Sequence, residues 1–142
     1  MPQFTSKVYK GKENFDDAFF IRKTVFMDEQ GFFDEFDDID SYSFHVVVYD
    51  ADKPIGCGRI FPENDNAHLG RIAVLKEYRK QGIGHIIMEK LEQAARENLE
   101  FNKYELSAQK RAIGFYKSVG YKEIGEMYLD EGYPHITMVK GK

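Results

Sequence analysis

The stretch Leu69-Gly-Arg-Ile-Ala-Val-Leu-Lys-Glu-Tyr-Arg-Lys-Gln-Gly-Ile-Gly84 constrains this chain more than any other. Its first half is apolar and β-branched and reads as a strand ending near Val74. A short polar loop follows. A helix then begins near Gly82, because Ile83, Ile86, Ile87, Leu91, Ala94 and Ala95 fall on one face of about four turns. Between strand and helix lies Arg79-Lys80-Gln81-Gly82-Ile83-Gly84. Glycines at a helix entrance let the backbone approach a ligand closely, and the first amides of a helix have no partner within it. Those amides and the helix dipole favour an anion, and Arg79 and Lys80 add positive charge. The combination reads as a pyrophosphate cradle; a glycine pair capping a surface helix is the plainer alternative. A dinucleotide fingerprint needs a third glycine where Ile87 stands, and a P-loop needs Gly-Lys-Ser/Thr, which does not occur.

The 142 residues suit one domain, 1–142, with no repeat or linker to divide it. Residues 4–9 read as an edge strand, and Phe15, Ala18, Phe19, Arg22, Val25 and Phe26 keep helical spacing. Segments 44–49, 55–61 and 68–74 read as an antiparallel meander. After the long helix, 104–108 is a strand, and Ala112, Phe115, Tyr116 and Val119 form a compact amphipathic helix that Gly120 ends. Segments 121–125 and 135–140 are the last strands. The order β-α-β-β-β-α-β-α-β-β, with two right-handed crossovers, predicts an α/β fold. Its sheet mixes antiparallel hairpins with those crossovers.

Charge narrows the function classes. The chain carries 24 acids and 20 bases, yet residues 24–52 hold nine acids and no Lys or Arg. No long basic run exists, which disfavours nucleic-acid binding. No apolar run approaches the ~18 residues of a membrane span, and the N-terminal residues lack a signal-peptide core. A single cysteine, Cys57, allows neither an internal disulfide nor a multi-cysteine zinc site, and fits a small buried filler. No metal-ligand pattern stands out. A cytoplasmic location, without membrane association, is the expectation.

Arg79-x-x-Gly82-x-Gly84, following Ile72-Ala73-Val74, resembles the acetyl-CoA motif of the GNAT superfamily of N-acetyltransferases. Leu106 to Tyr121, with Phe115-Tyr116 and Gly120-Tyr121, is similar to that superfamily's second signature. Val25-Phe-Met-Asp-Glu-Gln30 and Gly132-Tyr-Pro-His-Ile-Thr-Met138 resemble the small bacterial ElaA-like subgroup. The resemblance implies a mixed, mostly antiparallel, strongly twisted sheet with helices on both faces. In it one strand splays from its neighbour, with Ile72, Ala73 and Val74 pairing the pantetheine arm and the amide of Val74 or its neighbour polarising the thioester oxygen. Arg79 and the amides of Lys80, Gln81, Gly82, Ile83 and Gly84 would hold the pyrophosphate. Lys110, Arg111 and Lys117 would face the nucleotide phosphates, or else form solvated helix faces. Gln109 stands where the family often has a cofactor-contacting Asn.

The same resemblance places Tyr116 where it would meet the departing thiolate; core packing explains its place in the apolar stripe equally well. A tyrosine near pKa 10 facing a thiol near 8.5 makes full proton transfer uphill by roughly 2 kcal/mol, so a hydrogen bond that strengthens with charge is the expected role. A lysine-like amine is neutral in only about one molecule in 2,500 at pH 7, a deficit of ~4.6 kcal/mol that a base or a desolvating site must offset. Glu29 and His135 coincide with the subgroup-like motifs and are the candidate bases. His45, His68 or an ordered water are alternatives. Acetyl-CoA is the expected co-substrate, without a metal, and the acceptor is a small-molecule or peptide amine. The seven acids from Asp28 to Asp40 suit a polycationic amine, or a solvated loop that keeps Phe32, Phe33 and Phe36 from aggregating. A homodimer is compatible with all of this. Rival classes are an acyl-CoA-binding module without catalysis and a nucleotide-dependent kinase or dehydrogenase.

Overall fold

The computed structural model describes residues 4–32 and 36–142. In chain order the elements are β1 (Phe4–Lys10), α1 (Phe15–Arg22), β2 (Phe44–Asp50), β3 (Lys53–Glu63) and β4 (Asn66–Val74). They continue as α2 (Ile83–Asn98), β5 (Lys103–Gln109), α3 (Ile113–Ser118), β6 (Lys122–Asp130) and β7 (Tyr133–Gly141). The strands form one sheet in the order β1-β2-β3-β4-β5-β7-β6. Every neighbouring pair is antiparallel except β4 and β5. Two crossovers join parallel strands: α2 carries the chain from β4 to β5, and α3 carries it from β5 over β7 to β6.

Glycine decides how α2 meets the sheet. A Cβ on Gly58 would lie 2.8 Å from both Ile87 Cγ2 and Leu91 Cδ1, and one on Gly56 would lie 3.0 Å from Ile83 Cγ2. Two bare positions on one face of β3 therefore admit the apolar stripe of α2. The alternate residues of β3, Cys57 and Arg59, point to the other face, where α1 packs. Val46, Val47 and Val48 of β2 are completely buried, so the sheet is covered on both faces there.

One irregularity shapes the centre. Cys57 faces Ala73 and Arg59 faces Gly70, so β4 spends one more residue than β3 over this interval. The extra residue forces Arg71 to φ +53°, a left-handed conformation. Beyond this bulge β4 leaves its other neighbour. Only Ala67–Leu69 pair with Tyr104–Leu106, and the rest of the two parallel strands diverge.

The sequence expectations differ from the structure in two places. The helix expected over 15–26 is α-helical only to Arg22 and continues as a π-helical turn from Lys23 to Glu29. Thr24 Oγ1 donates to the Phe20 carbonyl at 2.8 Å, taking up the acceptor that its own amide would use in an α-helix. The strands expected over 121–125 and 135–140 extend to Lys122–Asp130 and Tyr133–Gly141. Every residue of β6 is exposed, so the strand carries no inward alternation to announce it.

Candidate active site

The divergence of β4 and β5 opens a cleft, and backbone pairing settles which groups face it. Leu75 N–H donates to the Ile55 carbonyl at 2.9 Å, and Val74 sits opposite Gly56. In an antiparallel ladder this makes Val74 and Gly56 a pair whose own N–H and C=O groups point away from each other. Val74 therefore turns its amide and carbonyl toward the opening, while those of Ala73 turn toward β3. The cleft beside it has a volume of about 510 Å³, and Ile72, Gln109, Tyr116 and His135 all line it.

Tyr116 is held by aromatic neighbours: its ring centroid lies 5.2 Å from Phe115 and 6.2 Å from Tyr121. The side chain is 9% exposed, and its hydroxyl has no hydrogen bond among the described residues. Burial pushes its pKa up to about 12. Against a thiol near 8.5 that raises the cost of complete proton transfer to roughly 5 kcal/mol, so the hydroxyl remains a donor. The end of α3 fixes its position. Gly120 adopts φ +100°, and Tyr121 N–H closes back on the Tyr116 carbonyl at 3.0 Å.

His135 is buried on β7 and stacks on Tyr128 at 6.1 Å between ring centroids. Its Nδ1 lies 2.9 Å from the Tyr133 carbonyl. A proton on Nδ1 donates there and leaves the Nε2 lone pair available. The alternative histidines are placed differently. His45 is buried, with Nε2 3.1 Å from the Asp40 carbonyl, and burial lowers its pKa. His68 lines the cleft against Phe61, at 5.2 Å, and burial lowers its pKa too.

The glycine-rich loop follows β4, and none of its residues 79–84 lines that cleft. No side chain caps the N-terminus of α2, and Gly82 takes φ +82° at the cap position. The backbone of Lys80, at φ +65°, is also left-handed. Gly84 also governs packing, since a Cβ there would stand 2.9 Å from Phe115 Cζ; its bareness lets α3 approach α2. Gln81 Nε2 donates to the Glu77 carbonyl at 3.3 Å. Arg79 donates from Nε to the Val74 carbonyl at 3.0 Å and makes a two-pronged pair with Glu29, both contacts at 2.8 Å. Hydrogen bonding from Arg79 holds Glu29 below its ordinary carboxylate range. Glu29 is therefore an anchored carboxylate here, a poor proton acceptor at neutral pH.

The acidic section is mostly engaged within the protein. Arg22 and Asp40, each 1% exposed, pair at 2.7 Å. Arg59 bridges Asp40 at 2.8 Å and Asp37 at 2.7 Å. Burial alone would raise both carboxyl pKa values; the arginines override it and lower them. Asp28 pairs with Lys23 at 3.2 Å. Phe32 is buried, and Phe36 stacks on Phe19 at 4.7 Å. Four of the seven acids are thus committed to partners, and Asp34, Glu35 and Phe33 lie outside the described residues. Lys117 pairs with Glu123 at 2.7 Å on the surface, while Arg111 lines the cleft.

Sequence reasoning missed Arg59 and Gln30, and read Asp37 only as part of an acidic run. Arg59 lines the cleft at 3% exposure, and its Nε is buried without a hydrogen-bond partner among the described residues. A lone arginine inside the otherwise apolar run 55–61 was its signal. Gln30 accepts from Gln109 Nε2 at 3.0 Å through Oε1, and from the Tyr133 hydroxyl at 2.8 Å through its carbonyl. Among the described residues no group of three or more His, Cys, Asp or Glu is gathered to hold a metal. Nor is any described helix long and apolar enough to cross a membrane.

A bulged central strand, a parted parallel pair and an uncapped glycine-led helix define a GNAT-type acyltransferase fold. Residues 9–142 match the acetyltransferase (GNAT) domain family, and the chain belongs to that family. It is 41% identical over 136 residues to the uncharacterized N-acetyltransferase YjcF of Bacillus subtilis, covering 94% of this chain and 96% of that one. Escherichia coli ElaA has the same fold, with a TM-score of 0.87 at 23% identity over 97% of this chain and 99% of its own. An acyl-CoA N-acyltransferase from Pseudomonas aeruginosa superposes with a TM-score of 0.84, at 23% identity, over 99% of this chain and all of its own.

Proposed function

We propose that this acyltransferase moves an acetyl group from acetyl-CoA to a primary amine by direct attack in a ternary complex. One observation carries the reading: Val74 turns a strand edge that β5 does not pair toward the opening, with an uncapped α2 N-terminus close by in sequence. An extended amide-bearing arm satisfies such an edge as an added strand would, and helix amides suit a diphosphate. A GNAT acetyltransferase from Elizabethkingia anophelis with acetyl-CoA bound shares the fold, with a TM-score of 0.67 at 14% identity over 98% of each chain.

In this reading Val74 and Ile72 hold the pantetheine, and Arg79 with the amides of Lys80 to Gly84 holds the diphosphate. Bound there, acetyl-CoA supplies the activated thioester. The Tyr116 hydroxyl donates to the sulfur as negative charge develops on it. His135, with Nε2 unprotonated, takes the proton from the amine. The pairing of Glu29 with Arg79 supports choosing His135 over it as the base. The acceptor is a small polar amine or a peptide amine that fits a cleft walled by paired charges.

Thiol release from acetyl-CoA across a panel of primary amines tests the reading, with calorimetry for CoA, ATP and NAD beside it. CoA binding with amine-dependent thiol release is the expected result. CoA binding without release from any amine would favour a binding module. ATP or NAD binding without CoA binding would reject both.

A further inference from the structure

Two of the groups assigned to the cofactor, the Val74 carbonyl and Arg79, already have partners within the chain. The Val74 carbonyl, which faces the opening, accepts from Arg79 Nε at 3.0 Å. Both terminal nitrogens of Arg79 are taken by the Glu29 carboxylate at 2.8 Å. We propose that Glu29, Arg79 and the Val74 carbonyl form a latch over the cofactor's anchor points, and that the diphosphate opens it. The inference rests on the acetyl-CoA reading above.

Three features make the latch more than a surface ion pair. First, Glu29 ends the π-helical turn, and the next residue is fastened to the opposite arm of the cleft. Gln30 bonds Gln109 at the end of β5 and Tyr133 at the start of β7. Residues 29–30 are therefore a strap from the β4 arm to the β5–β7 arm. Second, the chemistry is interchangeable: a carboxylate and a phosphate engage a guanidinium with the same two-pronged geometry. The diphosphate brings more negative charge and repels the carboxylate it displaces. Third, release is cheap for both partners. Arg79 and Glu29 are 37% and 34% exposed, so water receives the freed carboxylate. Lys76 and Arg111 stand near enough to lower its pKa, so it stays ionised without Arg79.

Arg79 therefore has opposite effects on the two ends of the cofactor. It attracts the diphosphate, and until that arrives it covers the carbonyl the pantetheine needs. A fragment without phosphates meets a closed latch.

The test is a double-mutant cycle read by binding, with CoA and pantetheine as probes. Titrations use the wild type, Glu29→Gln, Arg79→Gln and the double variant, with circular dichroism to verify folding. Glu29→Gln is expected to tighten CoA binding roughly two- to fivefold, the equilibrium value of an exposed pair. In the Arg79→Gln background the same change is expected to do nothing. Arg79→Gln is expected to weaken CoA yet strengthen pantetheine, because the Val74 carbonyl is uncovered. The latch is overturned if Glu29→Gln leaves CoA affinity unchanged or lower. It is also overturned if the gain persists without Arg79, which would mean plain charge repulsion, or if Arg79→Gln weakens both probes. Failure of the folded wild type to bind CoA at all would instead reject the acetyl-CoA reading.

Discussion

Replacing Tyr116 by phenylalanine removes one oxygen and separates chemistry from packing. The ring contacts with Phe115 and Tyr121 involve carbon alone and survive the change. The hydroxyl has no partner among the described residues, so no protein hydrogen bond is lost. The hydroxyl borders the cleft, where water can serve it, so the variant should keep its stability to within about 0.5 kcal/mol. Activity should fall. A hydrogen bond to a charged group contributes about 1.5–3 kcal/mol, so kcat should fall by a factor of roughly 10 to 150. CoA affinity should hold, because the donor acts on charge that exists only as the bond breaks. With its pKa near 12, the wild-type tyrosine should also sustain kcat as pH rises through 10, where an ordinary tyrosine ionises. Steady-state thiol release, urea melts and CoA titration on the same preparation supply the three readings. A kcat within twofold of the wild type would remove Tyr116 from the chemistry. A loss of stability would show that its hydroxyl serves the fold.

Asp40→Asn leaves Arg22 and Arg59 buried with half their compensation, and breaking such a pair costs about 3–5 kcal/mol, a fall in Tm on the order of 10 °C. A loss below about 1 kcal/mol in urea would refute the cluster's structural weight. The folded pKa values of Asp37 and Asp40 are lowered, so their stabilisation is full above the unfolded value near 4. It is lost as pH falls through the folded values, and acid melts should show a steep limb below pH ~4 that Asp40→Asn flattens. Gly58→Ala sets a methyl 2.8 Å from Ile87 and Leu91, and the overpacking should cost about 1–3 kcal/mol; an unchanged melt would mean that α2 can shift freely.

How much of this could be read from residues alone depends on whether a side chain's partner is near in sequence. The order of strands and helices was legible because hydrophobic period switches between two and 3.6 along the chain, and Gly82 and Gly120 mark helix ends. The two glycines around Cys57 read as strand residues, and only the structure shows that Ile87 and Leu91 fill the space above them. The length of β6 was not legible: with every residue exposed, Ile124, Met127 and Leu129 follow no inward rhythm. The π-helical turn escaped as well, since a threonine hydroxyl bonded four residues back leaves no pattern in apolar spacing.

The site divides in the same way. Backbone conformation was visible, because glycine at a helix start and a β-branched strand before it constrain the main chain wherever they occur. Charge chemistry was not, because its meaning depends on what lies opposite. Asp37 and Asp40 read as a lure for cations until Arg22 and Arg59, from α1 and β3, prove to face them. Glu29 reads as a base until Arg79, fifty residues away, proves to hold it. A carboxylate count predicts a field only when the carboxylates are unpaired. Pairing couples distant segments here: the arginine that reads as a phosphate ligand also fastens the strap across the cleft. Any substitution that frees one of those partners must therefore be measured at both ends of the cofactor.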